Sequence, residues 1–225
     1  MDFYNAKKFV INLDRRPDRW LEFEHQAKMC GLINYERFPA IDGKLISYDQ
    51  TAPLPTGKYH LTLPINQREQ IAMSQSACRK SHLKCIEMAK EQNLPYVVII
   101  EDDADFDPQI ISKWQMNGFA LPEDWQQMYF GAHHFRQPEM ITKHIGKCVT
   151  ALSTICYAVN SNSYDLFSEA LQKHEVLDII YCNYLHTQLK IKAYCYMPNL
   201  VVQRKGFSDI EAMNINYSHY YNRWA

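Results

Sequence analysis

Residues 96–107 limit the possible folds of this chain more than any other segment, because an apolar strand there ends abruptly in acid. Residues 97–100 form a continuous apolar, β-branched run, which predicts a strand buried on both faces, as in the middle of a parallel α/β sheet. The acids that follow are Glu101, Asp102, Asp103 and Asp105. If the extended conformation continues past residue 100, alternation places the first, third and fourth of these acids on one face.

Carboxylates crowded at the end of a buried strand repel one another unless a cation lies between them. Mg²⁺ and Mn²⁺ are the hard divalent ions that oxygen ligands favour. Two ligand pairs fit the spacing, Glu101 with Asp103 or Asp103 with Asp105. The alternative without a metal is that these acids end a strand and keep a loop soluble. An EF-hand loop that begins at Asp103 is excluded, because Pro108 and Trp114 stand where glycine and glutamate are required.

Composition bounds the class of protein. The chain has 225 residues, 47% of them hydrophobic, and a net charge of −1, which favours one globular domain over residues 1–225. Near-neutral charge argues against a nucleic-acid partner bound through phosphates, and no GxGxxG or GxxxxGK[ST] loop is present. The seven cysteines form no CxxC pair, so we expect free thiols. Because the N-terminus also lacks a hydrophobic signal region, we expect a cytoplasmic protein.

Strand and helix patterns alternate along the chain, which predicts an α/β fold with a mainly parallel sheet flanked by helices. Strands are predicted at residues 8–13, 35–40, 96–100, 127–131, 154–159, 193–197 and 200–203. Helices are predicted at residues 17–31, 67–92 (in two pieces), 108–118, 163–174 and 177–189. Residues 42–66 read as a long loop, and residues 137–149 are weakly patterned. The adjacent His133 and His134 would point opposite ways in extended chain, so they are not a paired metal site.

Several segments, taken in order, resemble glycosyltransferase family 25, which includes bacterial lipooligosaccharide galactosyltransferases and relatives of the collagen galactosyltransferases. No one segment is decisive, but their order covers nearly the whole chain. The segments are FVINLDRRPDR at residues 9–19, ACRKSHL at 77–83, IIEDD at 99–103, YAV at 157–159, LD at 177–178, 198–203 and SDI at 208–210.

The resemblance implies a GT-A-like single domain that binds a sugar nucleotide at the carboxyl ends of its strands. Residues 1–107 would form the donor-binding half and residues 108–225 the acceptor side. It implies an enzyme that transfers a hexose, with galactose as the leading candidate, from a UDP-sugar to a hydroxyl of a glycan or glycolipid acceptor such as lipooligosaccharide. The transfer would invert the configuration at the anomeric carbon. The cofactor would be Mn²⁺ or Mg²⁺ in a DxD-type site.

The resemblance also assigns roles to individual residues. Strand-end alignment favours Glu101 and Asp103 as metal ligands, with Asp105 in a secondary position and Gln203 or His219 as the third ligand. Asp178 would be the general base, with Glu175 as second choice. Donor-binding residues would be Asn12, Asp14, Arg15, Ser81, His82, Asp102, Ser208 and Asp209. The aromatic and basic tail, residues 217–224, is a candidate contact with a membrane interface, against plain packing of the same residues.

Three other functions compete with this one. A collagen-type hydroxylysine galactosyltransferase differs only in its acceptor. A haloacid-dehalogenase-like phosphohydrolase also places acids after a strand, but normally after the first strand, whereas this acidic strand follows about 95 residues. A non-catalytic sugar-nucleotide-binding module would bind UDP with a metal and show no turnover.

Overall fold

The computed structural model describes residues 1–48 and 52–217, and it contains one large sheet flanked by helices. The strands are β1 (Lys8–Asn12), β2 (Tyr35–Pro39), β3 (Tyr96–Glu101), β4 (Ala104–Phe106), β5 (Gln127–His134), β6 (Glu139–Met140), β7 (Ile145–Lys147), β8 (Ala151–Asn160), β9 (Ala193–Tyr196), β10 (Val201–Gln203), β11 (Gly206–Ser208) and β12 (Met213–Ile215). The helices are α1 (Pro17–Met29), α2 (Ile65–Glu91), α3 (Ile110–Asn117), α4 (Tyr164–Leu171) and α5 (Leu177–Ile179), which continues as a π-helix (Ile180–Gln188). Short 3₁₀ turns lie at Gly43–Leu45, His60–Thr62, Gly118–Ala120 and Ser161–Ser163.

The main sheet has 8 strands in the order β2-β1-β3-β8-β5-β9-β7-β6. The pairs β1–β2, β1–β3 and β5–β9 are parallel, and β8 and β7 run antiparallel to both of their neighbours. Six of the eight strands therefore share one direction, as the sequence predicts. The small pairs β4–β10 and β11–β12 lie outside this sheet.

The central strand β3 is buried on both faces, as predicted. Val98 and Ile100 belong to one hydrophobic core with α1 and α3, whereas Val97 and Ile99 belong to a second core under α2, α4 and α5. Each of these four side chains is 0% exposed. The continuous apolar run thus has its physical reason in the two helical layers that cover the sheet.

Two predictions of local structure are wrong. The extended conformation does not continue past Glu101, because Asp102 and Asp103 form a turn before β4. The helix predicted in two pieces is one continuous helix of 27 residues, since residues 65–91 contain no glycine or proline to interrupt it. The weakly patterned residues 137–149 include the short strands β6 and β7.

The position of β10 depends on a close approach to β5. A Cβ atom on Gly131 would collide with the carbonyl oxygen of Val201, so only glycine allows this contact. Strand β10 also pairs antiparallel with β4, where Gln203 lies opposite Ala104. These two contacts bring Gln203 beside the acidic end of β3. No helix of the described residues is long and apolar enough to cross a membrane.

The two-sided burial of β3 predicts the effect of a cavity mutation. We expect Ile99→Ala to lower the free energy of unfolding by about 3–4 kcal/mol, because the side chain is fully buried and helices limit collapse of the cavity. Leu21→Ala, at a side chain 65% exposed on α1, should change it by less than about 0.5 kcal/mol. Urea unfolding measures both, and equal losses in the two variants would contradict the layered core.

Candidate active site

A cleft lies at the carboxyl ends of β1, β2, β3 and β5, and it has two connected halves. The wide half, about 340 Å³, contains Asp178, His133, His134 and Glu211 in its lining. The narrow half, about 110 Å³, is lined among others by Arg15, Arg19, Asp42, Ser81, His82, Asp102, Asp103 and Asp209. Glu101, Gln203 and Ser208 line both halves and mark their junction.

Glu101 lies at this junction, Asp102 and Asp103 line the narrow half beside it, and one arginine pairs with both aspartates. Arg19 Nη1 lies 2.9 Å from Asp102 Oδ1 and 3.3 Å from Asp103 Oδ2. Asn12 Nδ2 donates to Asp102 Oδ2 at 2.6 Å, and Gln203 Nε2 donates to Asp103 Oδ2 at 3.2 Å. Both aspartates are buried, so their charges depend on these partners rather than on water.

The carboxylates exceed the cationic charge that surrounds them. Among the described residues, the ion pairs of Glu101, Asp102 and Asp103 involve Arg19 and, at 3.6 Å from Glu101, His82. Burial raises the pKa of Asp103 to about 7, and the charge of Glu101 adds to the rise. Asp103 Oδ1 is buried without a hydrogen-bond partner in the described part of the chain. An excess of buried oxygen ligands with a free acceptor fits a hard divalent cation.

Glu101 is held at the junction by one side chain from β8 and one from α2, both at the same carboxylate oxygen. Thr154 Oγ1 donates to Glu101 Oε1 at 2.6 Å, and His82 Nε2 lies 3.6 Å from the same oxygen. Burial alone would raise the pKa of Glu101, but His82 and Thr154 together hold it below its ordinary value. His82 is fixed in turn by a contact of 2.9 Å between its Nδ1 and the Tyr157 hydroxyl. Glu101 is therefore ionised and oriented.

Asp178 lines the wide half. Burial raises its pKa to about 7, the charge of Glu101 adds to the rise, and a backbone hydrogen bond from Ser153 opposes it. Ser153 has a φ of 78°, a left-handed conformation that is strained for a residue with a side chain. The strained backbone of β8 thus supports a carboxylate whose pKa suits proton transfer near neutral pH.

The arginines after β1 are engaged by carboxylates. Arg15 Nε lies 2.6 Å from Asp42 Oδ2, and both Arg15 and Arg16 pair with Asp209. Asp209 follows β11, so these ion pairs bind the β11–β12 hairpin to the narrow half of the cleft. Anionic ligands that enter this half meet guanidinium groups already oriented by acids.

The structure places the predicted site residues in three groups. Those that line the cleft are Arg15, Ser81, His82, Glu101, Asp102, Asp103, Asp178, Gln203, Ser208 and Asp209. Asn12 is buried beneath Asp102 and also accepts from Arg37 Nε at 2.7 Å, and Asp14 pairs with Arg37 at 2.8 Å; neither lines the cleft. His219 and residues 218–224 of the predicted membrane-contact tail lie outside the described residues.

Two predicted positions require correction. Asp105 does not share a face with Asp103, because the turn at residues 102–103 re-aims the chain and Asp105 pairs with Arg204 Nε at 2.8 Å. It lines neither half of the cleft. Glu175 also lies outside both halves, where its Oε1 accepts from the Val176 backbone at 2.8 Å.

Sequence reasoning missed several residues that shape the cleft. Thr154, Ser153, Asp42 and Glu211 are polar residues of strands and loops that carry no motif of their own. Glu211 Oε2 lies 2.6 Å from His60 Nε2, so the loop before β12 is linked to the segment before α2. Only the three-dimensional pairing of distant segments reveals these roles.

Fold and cleft together define an α/β protein whose site, at the carboxyl ends of its strands, combines arginines with excess carboxylate. Residues 5–176 match the family model described as glycosyltransferase family 25 (LPS biosynthesis protein). The chain belongs to glycosyltransferase family 25. Of its relatives, a glycosyltransferase 25 family member of Drosophila pseudoobscura pseudoobscura is 33% identical over 57% of this chain and 21% of its own length. One of Drosophila melanogaster is 36% identical over 44% of this chain and 16% of its own length.

The chain thus spans about a fifth of the length of the curated relatives that it matches. A solved glycosyltransferase involved in the glycosylation of the major capsid of PBCV-1 superimposes with a TM-score of 0.53. It covers 92% of this chain and 96% of its own, at 10% sequence identity, so the similarity concerns the fold. The predicted α/β architecture of glycosyltransferase type is confirmed.

The raised pKa of Asp178 predicts a gain in stability on its neutralisation. Its folded-state pKa of about 7 lies above the ordinary 3.8, so ionisation costs stability increasingly as pH rises between these values. We expect Asp178→Asn to exceed wild type at pH 8 by about 1–2 kcal/mol, after discount for solvent screening at this half-buried group, and to equal it near pH 4.

Thermal unfolding across this pH range, without added metal, checks the expectation as a Tm difference of about 3–6 °C at pH 8. Asp165→Asn is the matched control, because the Asp165 side chain is 83% exposed. A pH-independent difference in Asp178→Asn, of either sign, would contradict the electrostatic account.

Proposed function

We propose that the chain is a metal-dependent, inverting glycosyltransferase that moves a hexose, galactose in the first instance, from a UDP-sugar to a hydroxyl of a glycan acceptor such as lipooligosaccharide. Family membership supports glycosyl transfer in general. The observation that carries the proposal further is the junction of the two halves, where Glu101 and Asp103 face the cleft with more negative charge than their neighbours neutralise.

Mn²⁺ or Mg²⁺ would be held by Asp103 and Glu101, with the amide oxygen of Gln203 as a third candidate ligand. The free Oδ1 of Asp103 and the all-oxygen donor set fit such an ion. When bound, the ion would supply Lewis-acid stabilisation of the charge that develops on a leaving diphosphate. Arg19 and Asn12 hold the side chain of Asp102 in place beside these ligands, so the carboxylates are already positioned before any ligand binds.

The narrow half suits the nucleotide of a donor. Arg15 and Arg19 line it and can pair with phosphate oxygens in bidentate fashion. Asp42 and Asp102 offer acceptors to ribose or sugar hydroxyls, while Ser81 Oγ is already occupied by the Ile41 N–H at 2.9 Å. A donor diphosphate that reaches Arg15 competes with Asp209 for the same guanidinium.

The wide half suits the acceptor. Inversion at the anomeric carbon requires a base that removes the proton of the acceptor hydroxyl on the face opposite the leaving group. Asp178 lines the wide half and not the narrow half, and burial together with the charge of Glu101 raises its pKa to about 7. The hydroxyl proton would pass to the Asp178 carboxylate as the new glycosidic bond forms and the diphosphate leaves.

Two aspartates that are neighbours in sequence give a matched test. We expect Asp103→Ala to abolish Mn²⁺-dependent UDP binding and to lower transfer from UDP-galactose at least about 100-fold, because it removes an ionised ligand from the junction. Asp105→Ala should retain both, since Asp105 pairs with Arg204 outside the cleft and its loss removes only a partly exposed ion pair. Wild type with UDP and Mn²⁺ at about 100 times Kd should gain roughly 5–10 °C in Tm.

Transfer is measured as UDP release with lipooligosaccharide cores and with hydroxylysine peptides, so that the two acceptor classes are compared directly. Activity only on hydroxylysine peptides would assign the collagen-type reaction. Phosphate release from simple phosphomonoesters without UDP binding would identify a phosphohydrolase instead. Metal-dependent UDP binding without turnover on any acceptor would identify a binding module, and full transfer by Asp103→Ala would contradict the proposed metal site.

A further inference from the structure

A second cluster of potential metal ligands lies away from the carboxylates. It consists of His134 at the end of β5, Cys148 directly after β7 and Cys195 in β9, and we call it the His–Cys–Cys cluster. One ligand atom from each residue lies within 4.8 Å of the other two, and all three side chains are buried. No other group of three histidine, cysteine or acidic ligands this close occurs within residues 1–48 and 52–217.

The cluster differs from the carboxylate junction in position and in chemistry. The junction lies at the end of β3, whereas the cluster joins β5, β9 and the end of β7, which are neighbours farther along the sheet. Two thiols and an imidazole are soft or borderline ligands that favour Zn²⁺, whereas carboxylates favour Mn²⁺ and Mg²⁺. The inference below therefore does not depend on the proposed transfer reaction.

Ordinary core packing is the competing explanation, because buried free cysteines often act as small hydrophobic residues. Cys195 Sγ lies 3.5 Å from the Gly146 carbonyl oxygen, which is a weak interaction for a thiol. Cys195 interacts with both Cys148 and His134, so a polar contact and not apolar packing joins the three side chains. Cys148 lies 14 residues from His134 and 47 residues from Cys195 in sequence. Two cysteines and one histidine are one of the known sets of three protein ligands for zinc, with water in the fourth position.

The dimensions of the cluster fit a zinc ion. Tetrahedral coordination with Zn–S of about 2.3 Å and Zn–N of about 2.0–2.1 Å requires ligand atoms roughly 3.6–3.8 Å apart. The separations in the cluster, none above 4.8 Å, reach this range by side-chain adjustments of about 1 Å. Each thiol gives up its proton to solvent when the metal binds, so no oxidant or reductant takes part.

We propose that His134, Cys148 and Cys195 bind a Zn²⁺ ion, with the fourth coordination position left for water. The site would stabilise a part of the sheet where pairing is irregular. Strand β5 pairs with β9 only over residues 127–129, and its register against β8 shifts between Gly131 and His133. A zinc ion between His134 and Cys195 ties the end of β5 to β9 and so fixes one wall of the wide half of the cleft.

The full chain, purified without a polyhistidine tag and stripped with a chelator, provides the test when Zn²⁺ alone is added. We expect one zinc per chain by elemental analysis and a rise in Tm of about 10 °C at saturating metal. Co²⁺ in place of Zn²⁺ should give the charge-transfer absorption of a thiolate–cobalt complex. Cys195→Ser should weaken Zn²⁺ binding about 100-fold or more and should reduce that absorption.

Cys30→Ser is the matched control, because Cys30 is a buried free cysteine at the end of α1, outside the His–Cys–Cys cluster, and serine keeps a donor to the Asp107 carbonyl. Equal zinc loss in Cys30→Ser and Cys195→Ser would overturn the proposal. So would less than about 0.1 zinc per wild-type chain with no cobalt absorption, or an intact mass that shows a disulfide between Cys148 and Cys195. If Cys195→Ser does not fold, wild type is titrated with a mercurial reagent instead. Release of the zinc ion should then follow the reaction of two thiols.

Discussion

The buried contact between Arg19 and the carboxylates of Asp102 and Asp103 is the interaction on which the rest of the site depends. Removal of a carboxylate from water costs several kcal/mol unless a partner compensates it. One guanidinium compensates part of this charge, and the free oxygen of Asp103 shows where compensation is incomplete. The turn after β3 therefore keeps an excess of negative charge, and a cation bound there would raise the stability of the folded chain.

The sheet determines what can face this charge. Strand β8 runs antiparallel to β3, with Cys156 opposite Ile100, so its earlier residues reach beyond the end of β3. Thr154 thereby hydrogen-bonds Glu101, and the strained Ser153 supports Asp178 in the wide half of the cleft. A parallel strand in this place would present its carboxyl end instead. Topology thus brings Glu101, the proposed metal ligand, and Asp178, the proposed base, into one cleft from positions 77 residues apart.

The sequence predicted what depends on local pattern. Burial of β3 on both faces follows from its apolar run, and the order of short motifs indicated the family that the comparison with known proteins confirmed. The sequence could not predict the turn that takes Asp105 out of the cleft, because acids at alternate positions indicate one extended face. The sequence also could not predict the His–Cys–Cys cluster, because its three ligands come from distant segments and no spacing rule links them. Asn12 and Asp14 illustrate the same limit, since a strand end places a residue near the cleft without orienting its side chain.

Anomalous diffraction at the manganese edge, from crystals grown with UDP and Mn²⁺, tests the central claim most directly. We predict one strong peak at the junction of the two halves, with an oxygen of Asp103 about 2.0–2.3 Å from the ion and the diphosphate on its other side. A peak at Asp105 or at the His–Cys–Cys cluster with the junction empty, or UDP bound in the narrow half without any ion beside Asp103, would contradict the account.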